Sequence, residues 1–198
     1  MKIVITGARG FIGRNLAAHL MQQGDVQIFG FDLGQPLQEL KSALAEADIV
    51  FHLAGVNRPE SPEEFITGNV DFTAQVCELL KESGRSVPIV LASSIQAERD
   101  NPYGRSKLQA EETLKRYATE ARAPAIIYRL KNVFGKWCRP NYNSVVATFC
   151  HNIAHNLPIT ISDPANKVAL VHVDDVVSAF IAELHTAHAA GVCYREVT

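Results

Sequence analysis

The feature that most constrains this chain is the alternation of short apolar runs with longer stretches of helical spacing. The runs "KIVIT" (2–6), "VQIFGF" (26–31), "DIVFHL" (48–53), "VPIVLAS" (87–93) and "APAIIYRL" (123–130) are β-rich and bounded by turn formers. They mostly do not alternate apolar with polar residues. Such runs suit strands covered on both faces, which is the environment of a parallel sheet. Helical segments lie between them, near 11–23, 36–47, 62–83 and 102–121. This β-α-β-α order predicts an α/β fold with a doubly wound parallel sheet. After residue 131 the pattern changes. "KNVFGKWCRPNYNS" reads as loop; a helix over 143–155, "PITI", "VALVHV", a helix over 174–188 and a final strand "GVCYREVT" follow.

Composition narrows the function classes. The chain has 198 residues, 47% apolar and 20% charged, enough for one globular domain or one plus a fragment. A formal net charge of -2, with Lys and Arg dispersed, gives no nucleic-acid footprint. No apolar run approaches the ~20 residues that span a bilayer, so no membrane partner is expected. "MKIVITGARG" lacks the apolar run and cleavage site of a signal peptide, which points to a cytoplasmic protein. Cys77, Cys138, Cys150 and Cys193 are far apart and form no CxxC, so they read as reduced and structural. His151 and His155 are a helical i,i+4 pair without an intervening glutamate or a third ligand. No metal site is expected there; a partly exposed helix is.

Two local patterns carry chemistry. "TGARGFIG" (6–13) follows the first strand and opens the first helix. Gly7, Gly10 and Gly13 permit a tight turn whose N–H groups approach a pyrophosphate at the helix N-terminus. With Phe11 and Ile12 between them, these residues form a candidate dinucleotide site. Asp32, at the end of the second strand, suits a ribose 2′-hydroxyl and favours NAD(H). Arg9, inside the loop, suits a 2′-phosphate and favours NADP(H). The two signals conflict. In "NPYGRSKLQAEE" (101–112), Tyr103 and Lys107 lie four apart on one helical face. The pair is either solvated or a proton-transfer device. A phenol has a pKa of ~10, and a nearby ammonium lowers it.

"TGARGFIG", "HLAG" (52–55), "SS" (93–94) and "YGRSK" (103–107) occur in that order. Together they resemble the motifs of the extended short-chain dehydrogenase/reductases, the NAD-dependent epimerase/dehydratase family. "HLAGVNRPE", "SSIQAERDNPYGRSK" and "NVFGKWCRPNYNSVVATFC" are similar, nearly word for word, to the reductase half of the bifunctional capsule and O-antigen enzymes. Those enzymes help make UDP-N-acetyl-L-fucosamine. The resemblance covers essentially the whole chain. It implies a Rossmann-type core over residues 1–130, with 131–198 holding the last Rossmann elements and the start of an incomplete substrate lobe.

The resemblance implies a reductase of a UDP-linked 4-keto sugar that uses NADP(H) in preference to NAD(H). Tyr103 is the implied proton donor and Lys107 its tuning partner and ribose anchor. Ser94, rather than Ser93, matches the catalytic serine or threonine and would bind the reacting oxygen. Leu53, Ala54 and Gly55 would line the cofactor, and Asn69 would shape the site. His52 reads as buried or supporting rather than catalytic. Asn132, Arg139, Asn141 and Asn143, with Tyr142 and Ser144, fall on the sugar-nucleotide side. Lys131 stands where the family usually has proline. "HVDD" (172–175) reads as a structural segment. A homodimer through helices 62–83 and 102–121 is implied as well. Family members normally continue well beyond this length, so the chain reads as a fragment without the cupin domain, its C3-epimerase activity and its metal. Two other readings stay open: an NAD-dependent nucleotide-sugar 4-epimerase or dehydratase, and an inactive cofactor-binding fragment. A dehydratase needs an acid pair after the catalytic serine, where this chain has Ile95 and Gln96.

Overall fold

The computed structural model describes every residue except 143, 162 and 198. Along the chain run β1 (Lys2–Thr6), α1 (Phe11–Leu20), β2 (Gln27–Phe31), α2 (Leu37–Glu46) and β3 (Ile49–His52). A short helix α3 (Glu63–Phe65) passes through a π turn (Ile66–Asp71) into α4 (Phe72–Glu82). Then come β4 (Ile89–Ser94), a 3-10 turn (Ile95–Glu98), α5 (Pro102–Glu120), β5 (Pro124–Leu130) and β6 (Asn132–Phe134). The chain continues with α6 (Val145–Ala154), β7 (Leu170–His172), α7 (Val173–Ala182), a 3-10 turn (Glu183–His185) and β8 (Gly191–Arg195).

Six strands form one sheet in the order β2-β1-β3-β4-β5-β8, and every pairing is parallel. Successive residues of a strand face opposite sides. Val4, Ile89, Leu91 and Ile127 therefore enter the layer under α2, α4 and α5. Ile3, Ile5, Val90 and Ile126 enter the layer under α1 and α7. Both faces are covered, which is why the strand sequences do not alternate. The order reverses between β1 and β3, and the crevice at the carboxyl ends of such neighbours is where open parallel sheets place ligands.

The helix starts have local causes. Asn101 caps α5, its Oδ1 accepting from the Gly104 N–H at 2.8 Å, with Pro102 in the first turn. His172 caps α7, its Nδ1 accepting from the Asp174 N–H at 3.3 Å, so "HVDD" has the structural role expected of it.

Several expectations change. The 62–83 helix is interrupted by the π turn. The loop expected after 131 contains β6, which pairs in parallel with β7 and forms a separate two-stranded sheet. The helix expected over 174–188 ends in the 3-10 turn, and "PITI" carries no regular structure. Among the described residues no helix is long and apolar enough to cross a membrane.

Candidate active site

The phosphate loop is bound to the sheet on both sides. The Gly7 N–H donates to the Phe31 carbonyl at 2.7 Å. Gly7 has φ 71°, and a Cβ there would lie 2.7 Å from the Ala54 nitrogen. At Gly13 a Cβ would lie 2.2 Å from the Gly7 carbonyl oxygen, so α1 closes on the loop only through a glycine. Asp32 anchors the same loop. Its carboxylate oxygens accept from the Arg9 N–H at 3.0 and 3.1 Å. Arg9 Nε stands 3.9 Å from that carboxylate, with the Arg9 side chain 80% exposed and that of Asp32 16% exposed. The two residues that point to different cofactors thus belong to one contact.

Two hollows meet at the strand ends. One, of about 740 Å³, is bordered by Gly7, Gly10, Asp32, Ala54 and Phe72. The other, of about 390 Å³, is bordered by Phe11, Ile12, Ser94, Tyr103, Lys107 and Asn132. Leu53, Gly55 and Val56 line both, so the hollows form one trough. Gly13 and Arg9 support the trough without lining it.

β4 and α5 position the candidate reactive groups. Strand alternation turns Ser93 and Ser94 in opposite directions. Ser93 borders the smaller hollow as well, but its Oγ donates to Glu111 Oε1 at 2.5 Å. Ser94 stands beside Tyr103. Burial pushes the Tyr103 phenol above its ordinary pKa, and the Ser94 hydroxyl pulls it partly back. The ring of Phe65 packs 5.8 Å from that of Tyr103.

The expectation that Lys107 lowers the pKa of Tyr103 needs correction. Lys107 is 6% exposed, and its ammonium donates to the Ala92 carbonyl at 2.7 Å. Four-residue spacing places the two side chains on one face, but the long lysine stem ends on the β4 backbone, so burial dominates at Tyr103. Burial also depresses Lys107 to about 8, against the opposing charge of Glu111.

Glu111 went unread in the sequence. It is completely buried. It accepts from Ser93, from Arg129 Nη2 at 2.7 Å and from the Tyr194 hydroxyl at 2.9 Å. Burial raises its pKa, but these hydrogen bonds and the Arg129 charge outweigh burial and hold it low. One carboxylate thereby ties α5 to β4, β5 and β8. Its only sequence signal is its place one turn beyond Lys107 on the same helical face.

Asn69 shapes the trough as expected, from within the π turn. It is 2% exposed, and its Nδ2 donates to the Val56 carbonyl at 2.9 Å and to Ser106 Oγ at 2.9 Å. His52 is buried outside the trough, as expected of a supporting residue. Its ring contacts Thr6 Oγ1 at 2.7 Å and Thr73 Oγ1 at 2.9 Å. Burial, aided by the Lys107 charge, lowers it to about 3, so it is neutral.

The other expected residues divide. Asn132 and Lys131 line the trough, and Lys131 Nζ also donates to the Val197 carbonyl at 3.1 Å. Arg139 and Asn141 line neither hollow. The Arg139 guanidinium lies 5.4 Å from the Tyr142 ring. Arg58, 5.8 Å from that ring, reaches the Asn141 carbonyl at 3.5 Å. Asn143 lies outside the described residues. Asn57 and Arg58 line the trough and were not singled out from sequence, although only Val56 separates them from "HLAG". The four cysteines are unpaired, with Cys77 buried and Cys150 exposed. The exposed Cys150 has no structural role in the core. Among the described residues no group of three His, Cys, Asp or Glu side chains could hold a metal ion.

Comparison with known proteins agrees with this fold. Residues 3–194 match the NAD dependent epimerase/dehydratase family. The chain is 50% identical over 181 residues to UDP-2-acetamido-2,6-beta-L-arabino-hexul-4-ose reductase of Pseudomonas aeruginosa, covering 91% of this chain and 49% of that protein. It is 43% identical to the capsular polysaccharide assembling protein CapF of Staphylococcus aureus, with a TM-score of 0.83 over 97% of this chain and 52% of that one. UDP-glucuronic acid 4-epimerase of Bacillus cereus, solved with NAD, superposes with a TM-score of 0.85 at 21% identity over 98% of this chain and 78% of that one, a likeness of fold alone. The chain spans about half the length of the first two relatives. It belongs to the NAD dependent epimerase/dehydratase family.

Proposed function

We propose that this chain carries the reductase site for the C4 ketone of a UDP-2-acetamido-2,6-dideoxy-hexulose, with NADP(H) as cofactor, in capsule or O-antigen precursor synthesis. The observation that carries the reading is the continuous trough. It joins a phosphate loop to Ser94, Tyr103 and Lys107, in a chain 50% identical to such a reductase.

The residues fit a dinucleotide. Gly7, Gly10 and Gly13 bring backbone N–H groups to the N-terminus of α1, where a pyrophosphate is favoured. Leu53, Ala54 and Gly55 border the path between the hollows. Arg9 is exposed beside Asp32, whose carboxylate already serves the loop, and this supports a 2′-phosphate and hence NADP(H). When bound, the nicotinamide supplies the hydride that reduces the ketone carbon. Tyr103 gives its phenolic proton to the carbonyl oxygen, which completes the alcohol. Ser94 donates a hydrogen bond to that oxygen and stabilises its growing charge. The Lys107 ammonium, held on the Ala92 carbonyl, anchors the cofactor ribose, and solvent returns the proton to Tyr103. Asn132 and Arg139, with Asn141 and Asn143, take the sugar-nucleotide side. Residues 1–130 are the nucleotide-binding core, and 131–198 supply its last elements and the start of the substrate lobe. The same reading makes the enzyme a cytoplasmic homodimer through the segments 62–83 and 102–121.

Gln96 lines the trough where a dehydratase needs an acid, which weighs against that alternative. The test is calorimetric titration of the chain with NADPH and NADH, and with the Arg9→Ala variant. Tighter binding of NADPH, with the preference lost in the variant, supports the reading. Binding of neither nucleotide overturns it.

A further inference from the structure

The loop after β3 holds a hydrogen-bond acceptor at the border of the trough and gives it no partner among the described residues. Asn69 grips both backbone groups of Val56, its Oδ1 accepting from the N–H at 2.8 Å and its Nδ2 donating to the carbonyl at 2.9 Å. This two-sided clasp fixes the backbone from which Asn57 extends. Asn57 lines the hollow that holds Ser94, Gln96 and Tyr103. Its Oδ1 is buried and has no hydrogen-bond partner among the described residues. A buried acceptor left unpaired is destabilising, and native proteins keep few of them without a reason. The same hollow is lined by a second amide, Gln96. Gln96 Oε1 faces Asn101 Nδ2 at 3.5 Å, which leaves the Gln96 NH2 group for the trough.

A held acceptor and a donor in one hollow are complementary to a secondary amide, which has one N–H and one C=O. A carboxylate in either position would offer only acceptors. We infer that Asn57, in the hollow that Gln96 also lines, is a specificity-determining residue that reads the 2-acetamido group of the sugar, its Oδ1 accepting from the amide N–H. The inference rests on the reductase reading of the trough. Because Asn69 fixes the loop in advance, the contact needs little ordering when the sugar binds. A site built to pair a donor discriminates strongly against an analogue that lacks it.

The experiment measures binding of two sugar nucleotides to the NADP+-loaded chain by calorimetry. One is the UDP-2-acetamido-2,6-dideoxy-4-hexulose, and the other is its 2-deoxy-2-fluoro counterpart, which has no N–H. The native chain is expected to prefer the acetamido sugar by about 10- to 100-fold. In Asn57→Ala the preference falls to about twofold or less, because the buried acceptor is gone. Affinity for the fluoro sugar and for NADPH stays at the native level. Asn57→Asp, which keeps an acceptor oxygen, retains part of the preference. Equal binding of the two sugars by the native chain overturns the inference and leaves the reductase reading standing. So does a preference that survives in Asn57→Ala, or an equal loss of both affinities. A chain that binds NADPH but neither sugar nucleotide overturns both.

Discussion

Ser94, Tyr103 and Lys107 wall the trough from β4 and α5; Arg139, Asn141 and Tyr142, which line neither hollow, form a second wall beyond it on the segment between β6 and α6. Nine residues of α5 are buried, and Glu111 bonds that helix to three strands. No residue of α6 is buried. Trp137 and Asn141 hold positive φ angles of 67° and 54°, and Ile153 on α6 is 63% exposed. The first wall is preorganised by the core. The second is held mainly by Ser144, which caps α6, and by cation–π contacts around Tyr142. Under the proposed function, chemistry that needs sub-ångström placement falls to the first wall and binding of a long flexible diphosphate to the second.

The strongest way to break this contrast is Tyr103→Phe. It removes one hydroxyl and keeps the ring against Phe65. Under the proposed mechanism kcat should fall by about 10³- to 10⁴-fold. NADPH affinity and the unfolding midpoint should stay near native. A variant with near-native turnover would remove Tyr103 from the chemistry.

Neighbouring serines give a sharper test at smaller effect. Ser94→Ala should lower kcat by about 10²- to 10³-fold, the usual cost of losing one donor to a developing oxyanion. Ser93→Ala should spare most activity and cost about 1.5–3 kcal/mol of stability, since its hydroxyl bonds the Glu111 carboxylate. Urea unfolding and steady-state kinetics on the pair separate the two. If Ser93→Ala loses the activity instead, the facing of β4 has been misassigned.

The buried titratable groups set how the first wall responds to acid. His52 falls to about 3 in the folded chain from 6.5. Between those values the unfolded chain binds more protons, so stability drops as pH falls through that window. Glu111 is also held low, and its contribution is lost as pH falls through its folded value. Lys107, lowered to about 8 from 10.5, acts at the other end. There the charged form is penalised in the folded state, and the penalty is relieved as pH rises from the lower value to the higher. Urea midpoints taken at about pH 5 and about pH 7.5 should show a clear loss in acid, with a shallower loss in His52→Gln. An equal slope in both proteins would exclude His52 as the source.

The difference between the walls also explains what the sequence disclosed. Strands β1 and β3 to β5 were readable because a sheet covered on both faces leaves unbroken apolar runs, as "KIVIT" and "VPIVLAS" show. The phosphate loop and the Tyr103–Lys107 spacing were readable because each lies within one turn of one element. Strand β6 was not, since its three residues pair with β7, far along the chain, and no local pattern announces that contact. The π turn was hidden for a similar reason: Asn69 is drawn out of α-helical register toward Val56. Glu111 looked like any acid on a helix, because Arg129 and Tyr194 come from β5 and β8. The electrostatics of Tyr103 were misread from spacing alone. Spacing fixes which face a lysine occupies but not where its ammonium ends, and here it ends on the Ala92 carbonyl.

The smallest expected effect tests the second wall. Arg139 is exposed and meets the Tyr142 ring at 5.4 Å, while Arg58 faces that ring at 5.8 Å. Exposed cation–π contacts contribute about 0.5–1 kcal/mol. Arg139→Ala should therefore leave the unfolding midpoint within about 0.5 kcal/mol of native. If Arg139 meets the diphosphate, it binds ground state and transition state alike. KM for the UDP sugar should then rise by about 3- to 10-fold, with kcat within about twofold of native. A fall in kcat of the same size would mean that this loop also positions the reacting carbon. The two walls would then share the work of orientation, and the preorganisation that Glu111 gives to α5 would have to extend across the trough, through Arg58 and the Asn141 carbonyl, to a segment that the core leaves largely exposed.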